Sequence, residues 1–193
     1  QRKYDEAIDY ARRALERQRD CEGAYLVLGR AWFASDRWQE AAATVEQAIE
    51  VSGDDYNVYV PYILALECLN QKEAAYKLRE RQAEVLEKQL RMVPEDVRAR
   101  ILLSSDHAAL GRRDKAVEEL EKAVALRSND TNVLYNAACT YGRMEMKSEA
   151  LAMLKKAKEV GFPNLDWAAR DPDLTCLRGQ PEFLRLLADD HKS

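Results

Sequence analysis

The chain has 193 residues, 47% hydrophobic and 33% charged, with only seven Gly and five Pro, so it can fill a continuous core but lacks the turn residues of an all-β fold. Its net charge of −4 and pI near 5.4 argue against a general phosphate-backbone binder, which needs a basic stripe, so no nucleic-acid partner is expected. No apolar run reaches the roughly 18 residues of a membrane span, and the opening QRKYDEAIDY carries no apolar signal-peptide core.

In chain order, residues 1–21 read as the second helix of a pair whose first helix is missing, with Tyr4, Ala7, Ile8, Ala11, Ala14 and Leu15 on one side. The chain is therefore expected to begin mid-repeat, as part of a larger polypeptide. Residues 22–55 form a whole pair. Tyr25, Leu28, Gly29 and Trp32 recur at helical spacing, Ser35-Asp36 breaks the pattern, and Ala41, Val45 and Ala48 mark the second helix. A third pair, 56–96, has its first helix near Asn57 to Leu69. No Gly or Pro interrupts Lys72 to Met92, so its second helix is expected to be lengthened and unbroken, and Gln82 and Gln89 suggest that the extension is less tightly buried. Repeats 97–130 and 131–164 follow, with N-cap chemistry at Glu95-Asp96 and Asn129-Asp130-Thr131. In 165–193, Pro172 and Pro181 stand at the N1 position of two short helices, with Trp167, Leu174, Leu177, Phe183, Leu186 and Leu187 as an apolar set.

Repetition links these segments. Ala7, Ala41 and Ala75 are each 34 residues apart, as are Ala116 and Ala150, while the interval from Ala75 to Ala116 is 41. Seven extra residues are two helical turns, which bring the apolar stripe back with a drift of only ~20°. The segment 22–55 resembles the tetratricopeptide pattern W-x2-L-G-x2-Y, A-x3-F and a helix stop, of period 34. Tyr25 stands for the Trp, Trp32 for the Tyr, Val45 for the Phe and Gly53 for the Pro. The resemblance implies an all-α, right-handed superhelical solenoid of antiparallel helix pairs, in which 165–193 is the terminal cap that such a stack needs. The tail also resembles the segment that closes tetratricopeptide regions of many bacterial signalling proteins, through Asp166-Trp167, Asp171-Pro172-Asp173-Leu174, Leu177-Arg178-Gly179, Pro181 and Phe183.

Catalysis finds no footing in the sequence, which has no HExxH, no phosphate-binding Gly-rich loop and no G-x-S-x-G. His107 falls at the phase of the consensus Tyr, a packing position, and His191 and Asp189-Asp190 are terminus chemistry. Cys21, Cys68, Cys139 and Cys176 form no CxxC pair, which points to free thiols and a cytoplasmic setting, with no metal and no cofactor. Recognition is the alternative. By phase, the inner surface carries Leu26, Arg30 and Phe33, then Asn57, Val60, Leu64 and Cys68, then Arg98, Ile101 and Ser105, then Asn132, Tyr135, Asn136, Cys139 and Arg143. The only acid at these phases is Glu67, so the expected partner is a protein or peptide segment with acidic groups beside apolar anchors, paired by Arg. The carboxylate clamp of one chaperone-binding tetratricopeptide subclass is not reproduced, because Leu26, Pro61 and Leu102 stand at clamp phases. Two other roles fit the pattern: a regulatory tail of an upstream enzyme or sensor, and a self-associating structural module joined through the first helix, whose Ile8, Ala11 and Leu15 would lack cover.

Overall fold

The computed structural model describes residues 2–21, 23–163 and 165–188; the expectations for Gln1, Glu22, Asp189-Asp190 and His191 lie outside them. All regular structure among the described residues is helical, and the chain divides into two compact units, 1–88 and 89–193.

The first unit holds α1 (Arg2–Arg17), α2 (Ala24–Ala34), α3 (Trp38–Ser52), α4 (Tyr56–Cys68) and most of α5 (Lys72–Met92), the unit boundary falling inside this last helix. At 21 residues, α5 runs without a break. Its core joins Ile8, Leu28, Trp32, Val45, Tyr62 and Leu78. Gly29 is a close-approach position, because a Cβ there would lie 2.9 Å from both Pro61 Cγ and Tyr62 Cε2 of α4. The Tyr62 hydroxyl donates to Tyr25 O at 2.8 Å, which ties α4 to α2 and satisfies a fully buried phenol.

Two expectations are corrected in this unit. Ile8 and Ala11 are only 3% and 7% exposed, because they pack into the core formed with α2 and α3. Gln82 is 2% exposed rather than loosely held, and its amide donates to Tyr56 O at 2.9 Å, so a polar side chain is buried because α4 supplies its partner. Arg79 is likewise buried on α5, held by Glu67 at 2.7 Å.

The second unit holds the end of α5, then α6 (Val97–Ala109), α7 (Arg113–Leu126), α8 (Thr131–Arg143), α9 (Lys147–Glu159) and α10 (Leu165–Ala168), a 3-10 segment (Pro172–Leu177) and α11 (Pro181–Ala188). The Arg100 guanidinium pairs with Glu119 to fasten α6 to α7, and its Nε donates to Pro94 O at 2.9 Å. Leu165, Ala168, Leu174, Leu177 and Phe183 pack on Leu120, Ala137 and Leu154. Trp167 departs from the expected apolar set. It is 50% exposed, and its indole N–H donates to the buried Asp171 Oδ2 at 3.2 Å.

The same hairpin recurs in both units. The first helix of a pair (α2, α4, α6, α8) is called A here and the second (α3, α5, α7, α9) B. Each A–B turn has three residues, the middle one left-handed: Asp36 (φ 59), Asn70 (φ 57), Gly111 (φ 72) and Glu145 (φ 61). The N–H after it returns to the carbonyl five residues back, Arg37 to Trp32, Gln71 to Leu66, Arg112 to His107 and Met146 to Tyr141, at 2.8–2.9 Å. This bond satisfies an orphan carbonyl at each A-helix end. Aspartates cap three A helices: Asp55 accepts from Asn57 N, Asp96 from Ala99 N, and Asp130 from Asn132 N and Val133 N. The recurring alanines Ala41, Ala48, Ala116, Ala123, Ala150 and Ala157 are all 0% exposed.

Candidate protein-interaction surface

The A helices carry every position read from the sequence as partner-facing, and none of the twelve candidate residues is fully buried. In the first unit, Leu26 and Phe33 on α2 rest half-buried against the core, with Arg30 exposed between them. On α4, Val60 and Leu64 are half-buried, and Asn57 is drawn to the helix start, where its Nδ2 donates to Asp55 Oδ1 at 2.8 Å.

In the second unit, Arg98, Ile101, Asn132 and Asn136 line one concavity of about 500 Å³ between the starts of α6 and α8, together with Arg127 and Val133. Its acidic members are Glu95, Asp96 and Asp130. Two of these carboxylates are engaged in capping, and Asp96 Oδ2 also accepts from Gln89 Nε2 at 3.0 Å. Asn136 Nδ2 donates to Asn132 O at 2.7 Å, which fixes the orientation of that amide.

Two other candidates on α8 are already engaged within the chain. The Tyr135 hydroxyl donates to Asp171 Oδ2 at 2.7 Å, and its ring stacks on Phe162 with centroids 4.4 Å apart. Arg143 grips Asp173 through two nitrogens at 3.0 and 3.2 Å. The expectation that Tyr135 and Arg143 face an incoming partner is thereby corrected, because the 3-10 segment lies on that part of the helix. Gly142 permits it: a Cβ there would stand 2.4 Å from Asp173 O. A Gly inside a helix costs about 1 kcal/mol relative to Ala, so its presence was a readable sign of close backbone approach.

Cys139, Asp171 and Asp173 place ligand-type atoms within 4.8 Å of one another. Their chemistry is already spoken for by Tyr135, Trp167, Arg143 and the Cys139 thiol, which sits 3.6 Å from Asp171 Oδ2. Burial, and next the Asp171 charge, pushes the Cys139 thiol well above its ordinary range; burial, then the hydrogen bond to Asp171, does the same to the Tyr135 phenol. The set ties α8 to the 3-10 segment, and His107 is 2% exposed within α6.

Phase reasoning on A helices missed a larger concavity of about 830 Å³ in the first unit, walled by α3 and α5. Val45, Leu66 and Leu78 line it along with Glu46, Lys77 and Arg81, the last pairing with Glu46 at 3.1 Å. Its sequence signal is the interleaving of Lys77, Arg79 and Arg81 with Glu73, Glu80 and Glu84 on α5.

Comparison with known proteins agrees with this architecture. Tetratricopeptide-repeat models match residues 1–56, 97–130 and 131–160. No curated protein matches the chain. Among solved structures, it is similar to TTC0263, a thermophilic TPR protein of Thermus thermophilus, with 24% identity over 91% of each chain and a TM-score of 0.64. It is also similar to MamA (41-end) from Desulfovibrio magneticus RS-1, with 17% identity over 83% of this chain and 87% of that one and a TM-score of 0.55. A chain of the APC/C hetero-tetramer Cut9-Hcn1 aligns at 14% identity over 97% of this chain and 35% of its own, with a TM-score of 0.63. At such identities the likeness is one of fold. Taken with the matched repeats, the recurring A–B turn and the buried alanine positions, it follows that the chain belongs to the tetratricopeptide-repeat family.

Proposed function

We propose that this chain is a non-catalytic protein-interaction scaffold whose A-helix faces hold a segment of a partner protein. The observation that carries the reading is the concavity bordered by Arg98, Ile101, Asn132 and Asn136: polar groups stand exposed around a half-buried apolar residue, on helices whose other sides are sealed in the core. That combination suits a guest with a carboxylate or backbone amide beside one apolar anchor. Arg offers a planar fork for carboxylates, and Asn offers both donor and acceptor. In the first unit, Leu26, Phe33, Val60 and Leu64 around Arg30 would contribute mainly apolar contact.

The test is selection from a displayed peptide library against the chain, followed by counter-selection with the double variant Arg98→Ala, Asn136→Ala. Enriched peptides should carry acidic and apolar residues, bind more weakly as salt rises, and lose at least tenfold in affinity for the variant. Peptides that bind both proteins equally would move the interaction elsewhere, the α3/α5 concavity being the first place to look.

A further inference from the structure

Two grooves of the first unit are built from the same positions, and they are filled differently. Between α1 and α3 the filling is aromatic. Trp32 is 2% exposed, with the Arg12 guanidinium 5.8 Å from the centre of its ring. Trp38 packs against the same core, and its indole nitrogen is closed to solvent. One repeat of 34 residues further on, the counterparts of Ile8, Arg12, Trp32 and Trp38 are Ala42, Glu46, Leu66 and Lys72. Both indoles are lost. Val45 for Ala11 and Leu78 for Thr44 return only part of the bulk, and at this place stands the α3/α5 concavity of about 830 Å³. Its floor is apolar and buried, made of Val45, Leu66 and Leu78. Its rim is charged: Arg81 pairs with Glu46 at 3.1 Å and Lys77 with Glu73 at 2.8 Å, while Lys72 is exposed and has no ion pair among the described residues.

We propose that the α3/α5 concavity is a second docking site, which takes a tryptophan side chain with a carboxylate beside it from a segment of a partner protein. The filled groove displays the fit, an indole on an apolar floor beneath a guanidinium. Arg81 can supply that cation here as Arg12 does there. Its present bond to Glu46 is an exposed surface pair, which holds it only weakly. The carboxylate follows from the balance of charge. Lys72, Lys77 and Arg81 outnumber Glu46 and Glu73 around the concavity, and both acids are paired within the chain, so the cation left over is Lys72. Buried tryptophans are also the anchors that contribute most at protein interfaces. A second copy of this chain is a poor donor of the indole. Of its three tryptophans, Trp32 and Trp38 belong to its own core, and Trp167 is held by Asp171 and lies against Arg170. The site shares no residue with the α6/α8 concavity, so either reading can fail without the other.

The probe is the blocked pentapeptide acetyl-Ala-Asp-Trp-Ala-Ala-amide, titrated into the full chain and followed by backbone amide chemical shifts. Saturable shifts should gather at Ala42, Leu66 and Leu78. Replacing the peptide's Trp by Ala should weaken binding at least about tenfold. Replacing its Asp by Asn should weaken binding about threefold, the scale of an exposed ion pair, and that difference should vanish in Lys72→Ala. Lys72→Trp supplies the missing indole from within the chain, at an exposed position that the fold does not depend on. This variant should lose at least about tenfold in affinity for the peptide and melt at a higher temperature. The proposal is overturned if millimolar peptide gives no saturable shift, or if the Ala-for-Trp peptide or the Lys72→Trp chain binds as well as the originals. Equal affinity for N-acetyltryptophanamide would overturn it in favour of a small aromatic ligand. A dimer in sedimentation that Lys72→Trp dissolves would overturn it in favour of a second copy.

Discussion

Gly142→Ala gives the sharpest test of how the C-terminal segment is held. In an open helix this change gains about 1 kcal/mol from propensity alone. Here the new Cβ would sit 2.4 Å from Asp173 O and 3.1 Å from Leu174 Cδ2, and the nearer atom is backbone with no rotamer to escape into. Restoring ordinary contact requires the 3-10 segment to withdraw by about 1 Å, the order of displacement at which overpacking costs about 1–3 kcal/mol. That movement also stretches the Tyr135–Asp171 bond of 2.7 Å and the Arg143–Asp173 pair at 3.0 and 3.2 Å, and a hydrogen bond to a charged group contributes about 1.5–3 kcal/mol. Full release would expose Leu174 and Leu177, each 0% exposed now, at about 1.5–3 kcal/mol apiece, which sets the upper bound. After the propensity gain, a net loss of about 1–3 kcal/mol is expected. Urea unfolding followed by far-ultraviolet circular dichroism reads the total, and amide exchange over 165–177 reads its location. A variant about 1 kcal/mol more stable, with unchanged exchange in 165–177, would refute the reasoning.

Three further outcomes follow from burial and charge. Ala116→Leu, at a 0% exposed position, should destabilise by about 1–3 kcal/mol through overpacking, whereas Ala109→Leu on the exposed end of α6 should change the unfolding midpoint little. Thiol labelling at pH 8 should modify exposed Cys68 in the folded chain and reach Cys139 only on unfolding, since burial and the Asp171 charge keep the latter protonated. Burial holds the Tyr62 and Tyr135 phenols above the ordinary 10.0, so the native state keeps protons that the unfolded chain releases. Their contribution to stability is complete below pH 10 and is lost as pH rises beyond it. Absorbance at 295 nm should show these phenols ionising together with the loss of helicity, not before it.

The repeat was legible in the sequence because its signals are local. Alanines 34 residues apart mark helix crossings, and Asp96 and Asp130 announce the helix starts that they cap. What was not legible depends on contacts between distant segments. Periodicity placed Tyr135 and Arg143 on the inner surface open to a partner, yet their own partners stand 36 and 30 residues further on, in a segment with no repeat pattern. Gln82 was misjudged for a related reason, since its polarity hid a carbonyl acceptor supplied from 26 residues upstream. Glu145 carried no sign of its left-handed backbone, unlike Gly111, Asn70 or Asp36, whose residue types tolerate it.

The constancy of the A–B turn bears on how freely this molecule can change. Helix register in each hairpin is set by a backbone bond spanning five residues and by alanines on the sealed side, and neither involves the side chains that border the α6/α8 concavity. Arg98, Asn132 and Asn136 can therefore drift over generations without passing through unfolded intermediates, as long as the turn and the alanines are kept. The fold and the proposed recognition surface are thus separable, and on that proposal a change of partner takes only a few substitutions on one helix face.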